Sequence, residues 1–187
     1  MQQSFFTVIP ATKEHHCYIR DILATIYDAS KVKGNSIVMR DPEYLAAKTN
    51  EGKAVIALKG DEFAGFCYLE CWQNEKFVAH SGLIVKPEYC GQGLASKIKE
   101  ATFQICRTMF PNAKIFNITK SEAVIKIDTR LGFKIVPYTE LTDDPAFWKG
   151  CETRPHYHTL LKNNMQSCEC TGLVFNPESV SGDSHRV

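Results

Sequence analysis

At 187 residues the chain is long enough for one domain with a sizeable core and short for two. An apolar share of 44%, a charged share of 23% and a net charge of +1, with no block of lysines or arginines, exclude the electrostatic footprint of a nucleic-acid binder. No apolar run reaches the ~20 residues that span a bilayer, and no basic amphipathic helix speaks for a membrane surface.

The opening stretch MQQSFFTVIPATKEHH lacks the pattern of a secretion signal, so a cytoplasmic location is expected. The eight cysteines are then expected as reduced thiols, suited to core packing or metal rather than disulfides. Phe5 to Ile9 alternates as a first strand. Thr12 offers an N-cap, and Ile19, Ile22, Leu23 and Ile26 recur at helical spacing until the helix fades around Ser30 to Gly34. Asp41-Pro42-Glu43 starts a second helix that runs to Thr49 or Asn50, with a capping carboxylate, proline in the first turn and an acid near the positive end of the dipole.

Ala54 to Leu58 and Phe63 to Leu69 flank Lys59-Gly60-Asp61 as a hairpin, and Phe77 to Val85 gives a further strand. Leu94, Ile98, Ala101 and Ile105 mark one face of a helix. Lys114 to Ile118 reads as a strand, Glu122 to Leu131 as a short helix stopped by Gly132, Phe133 to Val136 as a strand, and Tyr157 to Lys162 as the last. The tail from Pro177 is polar and expected to be loosely ordered. The order β-α-α-β-β-β-α-β-α-β-β predicts a mixed α/β sheet with helices on both faces.

Between the strand ending at Val85 and the helix beginning at Leu94 lies EYCGQGLAS, Glu88 to Ser96. Amides at a helix N-terminus lack partners within the helix and carry the positive dipole end, which suits an anion. Gly91 and Gly93 allow close approach of a phosphate, and Ala95 keeps the first turn slim. A dinucleotide fingerprint needs a third glycine where Ser96 stands, and a P-loop needs Gly-Lys-Ser/Thr, for which Lys97 comes too late.

The run VKPEYCGQGLASKI resembles the acyl-CoA loop of the GNAT superfamily of N-acyltransferases, in which a strand ending in V-x-P leads to Q/R-x-x-G-x-G/A opening a helix. Cysteine stands here where Gln or Arg is usual, at Cys90. RLGFKIV, Arg130 to Val136, is similar to that family's Leu-Gly-Phe helix end, and the element order agrees. The resemblance implies acetyl-CoA, or another short acyl-CoA, as co-substrate. It implies that Leu83, Ile84 and Val85 line the pantetheine arm, and that the amides of Gly91, Gln92, Gly93, Leu94, Ala95 and Ser96 hold the pyrophosphate, with Cys90 beside it in the same cofactor site. The thioester would lie where the sheet splays, beside the end of the strand that carries Asn117. On this reading residues 1–163 form the acyltransferase domain, and 164–187 a Cys-containing, then polar extension.

Acyl transfer to an amine needs a neutral, oriented nucleophile, a polarised carbonyl and a protonated leaving thiol. The family usually places a tyrosine four residues before the glycine of Leu-Gly-Phe as the thiol's acid; Asp128 stands there instead. His80 is a candidate base, or a histidine packed between sheet and helix. Ser81 is a candidate for positioning a water, while Glu70 reads as a rim charge.

GNSIVMRDPEYLA, Gly34 to Ala46, and the segment Leu131 to Lys162 resemble the acyltransferase domain of N-acetylglutamate synthases. That similarity implies arginines holding an amino acid's carboxylates in bidentate fashion, at Arg40 and, less well aligned, Arg154. The alternative for Arg40 is a surface charge, although the positive end of a helix is an unhelpful place for one. The implied acceptor is the α-amine of a small acidic amino acid such as glutamate. Other acceptors (an amino sugar, a polyamine, a protein N-terminus) and a non-catalytic acyl-CoA sensor stay open, as do the acyl group and a homodimer. Cys151, His156, His158, Cys168 and Cys170 could supply zinc ligands, but C-x-C alone is not a zinc spacing, so no metal is expected. Cys90 is expected to pack, or to oxidise if exposed.

Overall fold

A computed structural model describes residues 5–32, 37–151 and 170–181. They fall into two compact units, one within 1–69 and 80–105, the other within 70–79 and 106–187. The class is mixed α/β with a seven-stranded sheet.

The first unit opens with β1 (Thr7–Pro10), whose partner in antiparallel register is β2 (Ala54–Lys59). Thr12 then caps a 3-10 turn: its hydroxyl accepts from the Glu14 amide at 3.4 Å, and the Thr12 amide donates to His15 Nδ1 at 3.0 Å, a reciprocal capping box. The chain continues as α1 (Ile19–Ser30), with Ile22 and Ile26 buried as the apolar spacing predicts. In α2 (Pro42–Asn50) the Asp41 carboxylate accepts from the Glu43 amide at 2.8 Å, and proline occupies the first turn where no amide is needed.

β2 pairs antiparallel with β3 (Glu62–Trp72), which is longer at both ends than the strand expected at Phe63 to Leu69. The two are buried on both faces. Ala54, Ile56, Phe63, Phe66 and Tyr68 join Ile22, Ile26 and Leu45 in one core, while Val55, Ala57, Ala64 and Cys67 join Leu94 and Ile98 in another. A bulge where the register shifts between Ala57 and Leu58 puts Ala64 on the same side as Cys67, which strict alternation would not do. Gly65 is required by space, because a Cβ there would stand 2.7 Å from Ile98 Cδ1 and 2.8 Å from the Ile84 carbonyl. The unit is completed by the second part of β4 (Phe77–Val85) and the first three turns of α3 (Leu94–Met109).

In the second unit the start of β4 runs parallel to β5 (Lys114–Thr119), from Phe77 opposite Lys114 to Ala79 opposite Phe116. α4 (Glu122–Arg130) ends as its Gly132 predicts. The Gly132 amide donates to the Thr129 carbonyl and the Phe133 amide to the Asp128 carbonyl, both at 3.0 Å, around a left-handed glycine at φ +93°. After β6 (Lys134–Val136) comes α5 (Pro145–Cys151), which the sequence reading did not anticipate. The strand expected at Tyr157 to Lys162 lies outside the described residues. Thr171–Phe175, a segment the sequence reading set beyond the domain, forms β7 and pairs antiparallel with both β5 and β6. The tail expected to be loose contains a short helix, α6 (Glu178–Ser181). Phe116, Tyr138, Leu141, Phe147 and Val174 form this unit's core, with Phe147 edge-on to Trp72, Phe116 and Trp148. Among the described residues no helix is long and apolar enough to cross a membrane.

Candidate active site

In the first unit β4 is distorted where it carries the candidate residues. Gly82 sits at φ +62°, and a Cβ on it would lie 2.2 Å from Cε1 and 2.8 Å from Cδ1 of Tyr68. The missing side chain thus does two things: it allows the left-handed kink, and it leaves room for a buried tyrosine ring on β3. The Ser81 carbonyl, next to the kink, accepts from the Cys67 thiol at 3.3 Å, and the serine itself is half-buried.

His80, one residue earlier, is only 5% exposed. Burial holds its imidazolium well below the ordinary pKa of 6.5, and the charge of buried Lys99 pushes it the same way. It is therefore neutral at physiological pH and a reluctant proton acceptor. Of the two readings of His80, its burial favours packing between sheet and helix.

Beyond Val85 the chain is tied down before it reaches the glycine loop. The Lys86 amide donates to the Ala64 carbonyl at 2.9 Å, and a 3-10 turn at Pro87–Tyr89 follows. Glu62 at the start of β3 accepts from Lys86 Nζ at 2.8 Å and from the Tyr89 hydroxyl at 2.9 Å. The Lys86 bond, then the Tyr89 bond, holds the Glu62 carboxyl below its ordinary pKa.

Gly91 and Gly93 take φ of +75° and +76°, and nothing stands within 4 Å of a Cβ built on either. Here the glycines serve backbone conformation, not crowding, and they leave the start of α3 open to an approaching group. Gln92 Nε2 donates back to the Glu88 carbonyl at 3.0 Å, so its amide tightens its own turn. Leu94 and Ile84 are buried in the core, and only their backbone could face a ligand. Leu83 and Val85 pack partly buried against the core that holds Leu94, and Ala95 and Ser96 are half-buried on the first turn of α3. The Ser96 hydroxyl donates to Glu100 Oε1 at 3.1 Å. Cys90 corrects the packing expectation: it is exposed, with its thiol 3.6 Å from the Lys86 carbonyl, because the 3-10 turn gives the buried position to Tyr89.

Arg40 lies just before the cap of α2, half-buried. Its Nε–H donates to the Tyr68 hydroxyl at 2.6 Å, and the guanidinium stands 5.7 Å from the Tyr44 ring centre and 6.0 Å from that of Tyr68. It is not a solvated surface charge: two aromatic rings and a phenol oxygen hold it.

In the second unit Asn117, on β5, donates from Nδ2 to Asp128 Oδ2 at 2.7 Å. Asp128 is fully buried on α4, at the position where a tyrosine acid would be expected. The sequence reading named both residues without connecting them; a strand and a helix meet here, and no local spacing signals it. Tyr68 and Gly82 were missed for the same reason. Arg154, His156, His158 and Cys168 lie outside the described residues, and among the described residues no group of three or more His, Cys, Asp or Glu is arranged to hold a metal.

Many solved structures share this fold, among them three with coenzyme A or acetyl-CoA bound. N-acetylglutamate synthase from Neisseria gonorrhoeae, complexed with coenzyme A and N-acetyl-glutamate, matches at TM-score 0.63 and 14% identity over 94% of this chain and 36% of that one. The chain thus spans about a third of that synthase's length. Rv2747 from Mycobacterium tuberculosis, in complex with CoA, matches at 0.61 and 15% over 91% and 98% of the two chains. YncA from Salmonella typhimurium, with its cofactor acetyl-CoA, matches at 0.63 and 15% over 98% of each. A search of curated protein sequences returns no significant match. Residues 11–133 match the model of the acetyltransferase (GNAT) family, well over half the chain. The chain belongs to the acetyltransferase (GNAT) family.

Proposed function

We propose that the protein is a cytoplasmic acyl-CoA-dependent N-acetyltransferase whose acceptor is the α-amine of a small acidic amino acid, glutamate first among them. The donor half of this reading is supported by the left-handed glycines Gly91 and Gly93 at the start of α3, open to an incoming phosphate. Amides of residues 91–96 would hold the pyrophosphate, with the backbone of Leu83 to Val85 along the pantetheine arm. Bound there, acetyl-CoA supplies an activated thioester carbonyl.

The acceptor half is carried by one observation: Arg40, half-buried, oriented by Tyr68 and flanked by Tyr44. A fixed guanidinium suits bidentate capture of a carboxylate. His80, neutral and buried, keeps β4 packed, and half-buried Ser81 at the kink is the candidate for positioning a water at the amine.

A second reading, a non-catalytic acyl-CoA sensor, is favoured by Asp128: it stands where the family's usual acid would be, buried and engaged by Asn117. One experiment separates them. The purified protein is mixed with acetyl-CoA and L-glutamate, L-aspartate, spermidine or glucosamine, and thiol release is followed. Turnover with the two acidic amines, lowered at least tenfold in kcat/KM by Arg40→Gln, is expected for loss of a charged contact. Turnover of a cationic amine alone refutes the acceptor reading; acetyl-CoA binding without turnover of any amine leaves the sensor.

A further inference from the structure

We infer that Tyr68 is a specificity-determining positioning residue, which pre-orients Arg40 for the acceptor's carboxylate from a seat made by the side-chain-free Gly82. This rests on the reading that Arg40 meets an acceptor carboxylate. Tyr68 is 1% exposed, and its ring is wedged between Phe66, Tyr44 and the bare α-carbon of Gly82. Its Cε1 falls 2.2 Å from where a Cβ would be, so the ring has this seat only because residue 82 is glycine. The phenol oxygen is thereby carried to the Nε edge of Arg40, which it accepts at 2.6 Å.

A guanidinium is rigid and planar, so fixing Nε fixes the plane in which both Nη groups present their fork. An arginine held this way does not lose its rotamer freedom at the moment a carboxylate arrives, and affinity gains by that difference. Tyr44, edge-on to Tyr68 with ring centres 5.9 Å apart, holds the guanidinium from a second side. The kink in β4 and the recognition of the acceptor are thus one device, with the phenol as the link.

The test is Tyr68→Phe, which keeps the ring in its seat and deletes only the acceptor atom. The KM for L-glutamate is expected to rise about tenfold, the scale of one charge-assisted hydrogen bond. The kcat at saturating glutamate and the KM for acetyl-CoA should stay close to wild type. An unchanged glutamate KM overturns the inference. So does a parallel rise in the KM for acetyl-CoA, which would mark Tyr68 as a packing residue only. Arg40→Gln, run beside it, tells the two failures apart. If Arg40→Gln raises the glutamate KM and Tyr68→Phe does not, the inference alone falls. If neither variant moves it, the acceptor reading falls and takes the inference with it.

Discussion

Gly82→Ala is the substitution on which the geometry of β4 makes the sharpest demand. The residue sits at φ +62°, where a Cβ costs roughly 1–2 kcal/mol from backbone sterics alone. The new methyl would also stand 2.2, 2.8 and 3.2 Å from three atoms of the Tyr68 ring. That ring is buried and rigid, so it cannot swing aside as a lysine tip would. Forcing it from its seat adds about 1–3 kcal/mol, as overpacking does in other cores. The total loss is then roughly 2–5 kcal/mol, a large share of a small domain's stability.

Gly52 supplies the control. It has φ +69° and nothing within 4 Å of a built Cβ, so Gly52→Ala carries the backbone cost without the collision. Urea unfolding of the wild type and both variants, with midpoints compared at equal slope, measures the two directly. Gly82→Ala is expected to lose at least about 1 kcal/mol more than Gly52→Ala, the low end of the overpacking cost. Equal losses would refute the wedged ring, and with it the account of why glycine occupies this position.

Two further outcomes follow from buried polar groups. Below pH 6.5 the unfolded chain protonates a histidine that the fold keeps neutral at residue 80, so unfolding takes up a proton. The stabilising contribution is therefore complete above the ordinary pKa and is lost as pH falls from there toward the depressed folded value, at up to about 1.4 kcal/mol per pH unit. His80→Gln should remove that slope, and a stability difference from wild type that stays constant between about pH 7.5 and 5.5 would contradict the burial argument. Asp128→Ala should cost about 1–3 kcal/mol, because the half-buried Asn117 amide at 2.7 Å loses its carboxyl acceptor. A thermal midpoint unchanged from wild type would mean the pair contributes little.

Much of the architecture was legible locally. Thr12 and Asp41 cap the elements they precede, Gly132 ends α4, and the spacing of Ile22 and Ile26 marks the buried face of α1, because each of these is a short-range effect of backbone donors or helical period. The glycine loop was legible too, since a strand, two left-handed glycines and a helix follow one another in the chain. What was not legible depends on partners far apart in sequence. β7 belongs to the sheet because β5 and β6 leave ladder groups for it, and nothing within Thr171–Phe175 announces that pairing. The left-handed turn at Gln73, Asn74 and Glu75 holds no glycine to signal it, although the Gln73 amide donates to Asp144 seventy-one positions on.

The sequence by itself determined the order of elements from β1 to β6, the caps and the glycine loop, and so carried the family resemblance and with it the expected donor class. Only the tertiary structure decided which side chains those elements bring together. It buried His80 and so weakened it as a base, exposed Cys90, paired Asn117 with Asp128, and set Tyr68 over Gly82 where it reaches Arg40. The reason is one of range. Backbone conformation and helix termini are governed by a few neighbouring residues, whereas desolvation and side-chain hydrogen bonds are governed by whatever the fold places within a few ångströms.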